Sequence, residues 1–328
     1  MRVAQRETGA ALLAVLLLVA VMSALAVASL ERLQLATRLA GNIAALDQAR
    51  AFATAAEALA VVRINDLIAQ NPEKTTLAGG WQGERRTLPL PDGGVAFAQV
   101  WDGGNCFNLN SVAEGSDPRA LRTRYLGVEQ FVALMAVLDI PEGDARSIGG
   151  ALADWIDADT QPARAGAEDA AYGDGERPYR TANTMLAEVS ELRSVAGMTP
   201  EYYEILRPWL CALPTTQLSP INVNTLIPQQ APLLAMFSPG RLSLDQAAAI
   251  IAARPATGWN SGSDFWSVPA LVAVDAAPEI MQQVEIRTRW FRLDLEIVYA
   301  TAELRQSALI DGGIAPGRVV ARQWGGSE

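Results

Sequence analysis

Carboxylates carry most of the chemistry this chain could do. Between Asp154 and Glu176 lie seven acidic residues and one basic residue, Arg164. Crowding like charge into one loop costs repulsion unless a cation sits among them. Asp157 and Asp159 are two apart, as the early ligands of calcium loops are, and calcium accepts roughly six to eight oxygens from carboxylates, amides and carbonyls. Gly, Pro and Ala fill the loop and let carbonyls turn inward. The candidate ligands are Asp157, Asp159, Glu168, Asp169 and Asn183, with Asp174, Glu188 and Glu191 behind them. The segment is not an EF-hand, because the spacing of Gly and Glu that such a loop requires is absent. Magnesium fits less well, since it keeps more water and uses fewer protein ligands. The bland alternative is a solvated acidic loop with helix caps.

Other chemistry is scarce. The 328 residues include no histidine, which removes Ser–His–Asp and Cys–His catalysis and nearly all zinc sites. One lysine, Lys74, stands in a loop-like stretch. No nucleophile and base present themselves as a pair, so the expectation is a protein that is not an enzyme. A formal net charge of −10 repels nucleic acid and anionic lipid. Two cysteines, Cys106 and Cys211, form one disulfide in an oxidising compartment or remain two buried thiols. Residues 220–284 resemble a helix-hairpin-helix unit, with Asn224 set to cap a helix, a hairpin at Pro239-Gly240 and a second helix over Leu244–Ala253. DNA-binding versions hold phosphates with nearby cations. Here the hairpin offers only Ser-Pro-Gly-Arg, so no nucleic acid is expected.

The elements that must position these residues begin with an uncharged run, Ala10–Leu30. As a helix it is about 31 Å long, enough to cross a bilayer core of about 30 Å. Arg2 and Arg6 precede it and mark the N-terminus as cytoplasmic. The small residue Gly9 comes before the run, so a cut there leaves the membrane helix on the mature chain, unlike a secretory signal. The alternative is a plain signal anchor. Helix formers continue to about residue 66, with Leu35, Leu39, Ile43 and Leu46 on one face that needs a partner, most simply a sheet of its own domain. Asn71-Pro72 ends the pattern. Two short strands flank Pro91-Asp92-Gly93-Gly94. Helical signals fill 117–210 and 222–283, including Ala145, Ile148, Leu152 and Trp155 at helical spacing. The end of the chain alternates and is rich in β-branched and aromatic residues, which predicts three strands.

The arrangement of Gly9 and the apolar run resembles the prepilin leader of type IV pilins and type II secretion pseudopilins. Ala14 stands where most pilins carry Glu, and the K-type minor subunit usually lacks that Glu. Further matches follow in order: Cys106-Phe107-Asn108-Leu109-Asn110, Asp154-Trp155-Ile156-Asp157-Ala158-Asp159, Gly166-Ala167-Glu168-Asp169, Pro178-Tyr179-Arg180, Glu191-Leu192 and Ile221-Asn222-Val223-Asn224-Thr225. On these the chain resembles the type II secretion system minor pseudopilin K family, also called general secretion pathway protein K. The resemblance implies an α+β pseudopilin fold: a long N-terminal transmembrane helix packed on a small antiparallel sheet, with a large α-helical domain inserted into the sheet. It implies a leader at 1–9 cleaved after Gly9 with methylation of Ala10, a membrane helix at 10–30, and a pilin-like helix and first strands at 31–110. An inserted domain follows at 111–284, with the acidic calcium loop at 154–191, and C-terminal strands at 285–328. The implied role is at the tip of the secretion pseudopilus, in the inner membrane with the bulk in the periplasm. Its implied partners are the minor pseudopilins I and J and the prepilin peptidase, and its cofactor is calcium. The alternative is a tip pilin of a DNA-uptake or adhesive system. A periplasmic enzyme has only the acidic loop behind it.

Overall fold

The computed structural model describes residues 7–173 and 178–325; Arg2, Arg6, Asp174 and Glu176 lie outside them. Helix α1 (Glu7–Gln70) runs unbroken through the apolar and amphipathic stretches. It is followed by strands β1 (Arg86–Pro89) and β2 (Val95–Asp102). Helices α2 (Tyr125–Val137), α3 (Glu142–Ile156), α4 (Pro200–Leu206) and α5 (Leu244–Ala252) are the longer helices of the next block. Strands β3 (Trp290–Tyr299), β4 (Ala302–Asp311) and β5 (Arg318–Trp324) close the chain.

The five strands form one antiparallel sheet in the order β1-β2-β3-β4-β5. Strand β2 pairs directly with β3, from Val95 opposite Val298 to Asp102 opposite Phe291. The chain therefore leaves the sheet at Asp102, builds a helical domain and re-enters at Trp290. This is the α+β architecture expected from the sequence, with each block burying its own core. Phe107, Phe131, Ile148, Leu152, Leu234 and Phe265 centre the inserted domain; Phe291, Leu293, Leu295 and Ile310 centre the sheet.

The helix meets the sheet differently from the leucine face the sequence suggests. Ala45, Ala49, Ala53, Ala56 and Ile64 are buried, spaced so that one stripe faces the strands. Small side chains let the helix backbone approach the sheet closely. Leu35, Leu39 and Ile43 remain exposed and Leu46 is half-buried. Length accounts for Leu35 and Leu39; Ile43 stands two residues before the sheet-facing Ala45, about 200° round the helix, and points away from the strands. The β3–β4 hairpin ends level with Asn42, whose Oδ1 accepts a hydrogen bond from Thr301 Oγ1 at 3.0 Å. Helix residues before Asn42 project past the sheet. Farther along, the buried Glu57 accepts bonds from Arg322 Nε (2.8 Å) and Nη2 (2.5 Å) and from Gln306 Nε2 (2.6 Å), which pins α1 to β4 and β5.

A buried polar joint fastens the inserted domain to the sheet. Asp102, at the end of β2, accepts from the hydroxyls of Thr225 (2.6 Å) and Thr288 and from Gly104 N–H (2.9 Å). Asn105 bonds Thr225 (2.9 Å) and the Asn222 N–H (2.8 Å). Asn222 in turn donates to Thr288 (2.9 Å). Burial pushes the Asp102 carboxyl up, and these donors pull against that shift. Asn224 does not cap a helix. Its side chain takes the N–H of Trp259 at 2.6 Å and donates to the Trp259 carbonyl at 3.0 Å.

Candidate metal centre

Helix α3 ends where the acidic segment starts. Its apolar residues Ala145, Ile148, Leu152 and Trp155 are buried as their spacing requires, which fixes the direction in which the chain leaves the helix. Asp157 follows directly, 3% exposed, with Oδ2 accepting from Thr123 Oγ1 at 2.7 Å and Oδ1 unpartnered. Asp159 is exposed and its Oδ1 accepts from Gln161 N–H at 2.8 Å. The loop then doubles back, and Glu168 returns beside Asp157. One oxygen from each of Asp157, Asp159 and Glu168 falls within 4.8 Å of the others.

The electrostatics of this cluster are unfavourable as it stands. Glu168 is 7% exposed, and neither of its carboxylate oxygens has a hydrogen-bond partner. Burial first, then the charges of Asp154, Asp157 and Asp159, push its carboxyl up to about 7. Burial likewise raises Asp157 and Asp154. Among the described residues, no arginine or lysine lies within salt-bridge distance of Asp157, Asp159 or Glu168. Native proteins pair buried polar groups, so orphaned carboxylate oxygens point to a missing partner. The Asn183 Oδ1 is also buried and unpartnered, and its backbone N–H is tied to the Trp155 carbonyl at 2.9 Å. The all-oxygen set of three carboxylates is the donor chemistry that hard divalent cations take.

The other candidates sit elsewhere. Asp169 accepts from the N–H and hydroxyl of Thr181, each at 3.0 Å, and Arg180 lies 3.8 Å away. Glu191 takes the N–H groups of Ala187 (2.7 Å) and Glu188 (2.9 Å), and Glu188 accepts from Ser190 (3.1 Å); both serve to start a short 3-10 turn. Asp154 is the residue the sequence reading passed over. It is fully buried within the otherwise apolar run Ala151–Ile156, and a carboxylate in such a run is the signal that singles it out.

The remaining motif residues build the frame. Asn110 uses its side-chain amide as a backbone substitute: it takes the Leu186 N–H at 2.7 Å and donates to the carbonyls of Leu186 and Leu213, both at 2.9 Å. Asn108 donates to the carbonyls of Thr215 (2.8 Å) and Gln217 (3.1 Å). Cys106 and Cys211 form a disulfide with Cα atoms 5.7 Å apart, where Phe107-Asn108 pairs in parallel with Leu210-Cys211. Tyr172 and Tyr179 pack on Trp155 with centroids 5.4 and 6.1 Å away. The basic groups of the hairpin-like region face inward: Arg241 donates to the Val274 carbonyl (3.0 Å) and Arg254 to that of Leu226 (2.6 Å). The single lysine, Lys74, donates to Asn260 at 2.8 Å.

Comparison with known proteins matches two family models, both described as type II secretion system protein K, over residues 105–215 and 221–287. A type II secretion system protein K from Pectobacterium carotovorum subsp. carotovorum is 33% identical over 323 residues, covering 98% of this chain and 97% of the relative. One from Klebsiella pneumoniae is 36% identical over 325 residues, with 98% and 97% coverage. Among solved structures, the GspK-GspI-GspJ complex of the enterotoxigenic Escherichia coli type 2 secretion system contains a chain that matches with TM-score 0.74 and 32% identity. That match covers 86% of this chain and 97% of the other.

Proposed function

The chain belongs to the type II secretion system protein K family, and on that premise we propose that it is the minor pseudopilin at the tip of the secretion pseudopilus. It starts or caps assembly and so supports export of folded proteins across the outer membrane. It acts as a structural component and not as an enzyme. Its partners are the minor pseudopilins I and J, as in the complex whose K chain it resembles.

The observation that carries the tip reading is the helical domain interposed between the paired strands β2 and β3. Such a bulk beside the sheet argues against regular stacking along a filament. The absent Glu agrees with it. At the fifth residue after Gly9 a filament subunit needs a carboxylate to neutralise a neighbour's charged amine in an apolar bundle, where an unpaired charge is costly. Ala14 cannot do this, and a subunit at the end of the filament has one such neighbour fewer.

The single apolar helix anchors the chain in the inner membrane, with the sheet and inserted domain in the periplasm. Among the described residues α1 alone is long and apolar enough to cross a membrane. The prepilin peptidase cleaves between Gly9 and Ala10 and methylates Ala10, both of which lie on the exposed start of α1. Calcium binds between Asp157, Asp159 and Glu168, with the Asn183 amide as a further donor, and neutralises the carboxylates so that the loop after α3 keeps its fold. Immunogold labelling of overproduced pseudopili tests the tip assignment. Label confined to filament ends is expected; label along the shaft overturns it.

A further inference from the structure

The loop that carries Glu168 is shaped around a carboxylate outside the proposed ligand set. Asp154 lies on the last turn of α3 and is fully buried. Its Oδ1 and Oδ2 face the Ala163 N–H at 2.9 and 3.2 Å. Gly166 rests against the same carboxylate so closely that a Cβ there would collide with Asp154 Oδ2. One turn earlier on the same face of the helix, a Cβ on Gly150 would meet the Ala165 carbonyl carbon and the Gly166 nitrogen, both at 3.0 Å. Between these contacts Ala165 is held at φ 64°, in the left-handed region that a residue with a side chain rarely adopts. The outcome of this bend is the position of Glu168, nine-tenths buried with both oxygens unpartnered and one of them grouped with Asp157 and Asp159.

We propose that Asp154 is a positioning residue for the metal centre: it binds the loop N–H of Ala163, not the cation, and folds residues 163–166 so that Glu168 faces Asp157 and Asp159. This rests on the calcium reading above. Gly166 is the second half of the device, because only a residue without a side chain lets the loop backbone reach the Asp154 carboxylate. Groups that orient metal ligands are worth about 10–100-fold in metal affinity, and that is the scale expected here.

The test uses the full chain in detergent, calcium titration by calorimetry, and terbium luminescence lifetimes in light and heavy water to count waters on the bound ion. Gly166→Ala leaves every carboxylate in place. Asp154→Asn keeps the size of the side chain and one acceptor. Each is expected to weaken calcium binding about 10–100-fold and to add water to bound terbium, as Glu168→Gln does. Combined with Glu168→Gln, neither should weaken binding further, because both act through Glu168. Wild-type affinity and hydration in both variants would overturn the proposal. So would a further loss from Asp154→Asn in the Glu168→Gln background, which would make Asp154 a ligand. Should Gly166→Ala fail to fold, Asp154→Asn carries the same comparison. A wild-type chain that binds neither calcium nor terbium would instead sink the calcium reading itself.

Discussion

At the scale of single residues, the proposed calcium site would trade a proton for a cation. Unfolded, Glu168 titrates near its ordinary 4.5; folded, it is pushed up to about 7. Between those values the calcium-free folded chain holds a proton that the unfolded chain has lost, so its stability falls as pH rises through that window. On the calcium proposal the cation would take the proton's place, and its affinity should rise with pH over the same range. Melting curves in chelator should therefore shift down from pH 5 to pH 7.5 through this group, while curves in excess calcium should not. At a hundredfold excess over its dissociation constant, bound calcium should add about 2.7 kcal/mol. Asp157→Ala should remove most of that response. Identical melting with chelator and with calcium would count against the site. The cluster was partly legible in the sequence, because Asp157, Asp159 and Glu168 are carboxylates in a run short of cations. Asp169 could not be separated from Glu168 there. The two are adjacent in the chain, and only the start of the short helix Asp169–Tyr172 sends Glu168 inward and leaves Asp169 to Thr181.

At the scale of elements, periodicity reads well where one face is buried and poorly where two surfaces compete. The stripe Ala145, Ile148, Leu152 and Trp155 has one core to face, and all four residues are buried. On α1, the leucine stripe is the more apolar, yet the alanines meet the sheet. Hydrophobicity cannot say where a sheet ends, and this sheet stops level with Asn42. The frame around the acidic loop was hidden for a different reason. Asn108 and Asn110 act through side-chain amides on carbonyls about a hundred residues away, and periodicity carries no such signal. The disulfide works at this scale as well. It spans 105 residues, and a loop of about that length confers up to about 4.7 kcal/mol in the chain-entropy model. Replacing both cysteines, Cys106→Ala with Cys211→Ala, should lower stability by about 2–5 kcal/mol, read as a lower urea midpoint with the sheet still formed. An unchanged midpoint would show that the parallel pairing of Phe107-Asn108 with Leu210-Cys211 holds this boundary without the bond.

At the scale of the whole molecule, the chain is two packed units on one long rod. The insertion was legible because short strands bracket a long helical block, and β2 and β3 do pair across it. The part of α1 before Asn42 is left bare, apolar and projecting, and it calls for lipid at one end and other subunits beyond it. The proposed processing rests on Gly9 standing before the apolar run: mass spectrometry of the protein purified from membranes should give a chain starting at N-methylated Ala10. An intact Met1, or a start near residue 30, would contradict the pilin reading. On the proposed function, the exposed Leu35, Leu39 and Ile43 should be covered by helices of two other minor pseudopilins. Size-exclusion chromatography with light scattering, on the detergent-solubilised chain mixed with minor pseudopilins I and J, asks this directly. One co-eluting peak with one copy of each is the expected result. Three separate peaks at micromolar concentration, or a self-assembled polymer of this chain alone, would contradict it.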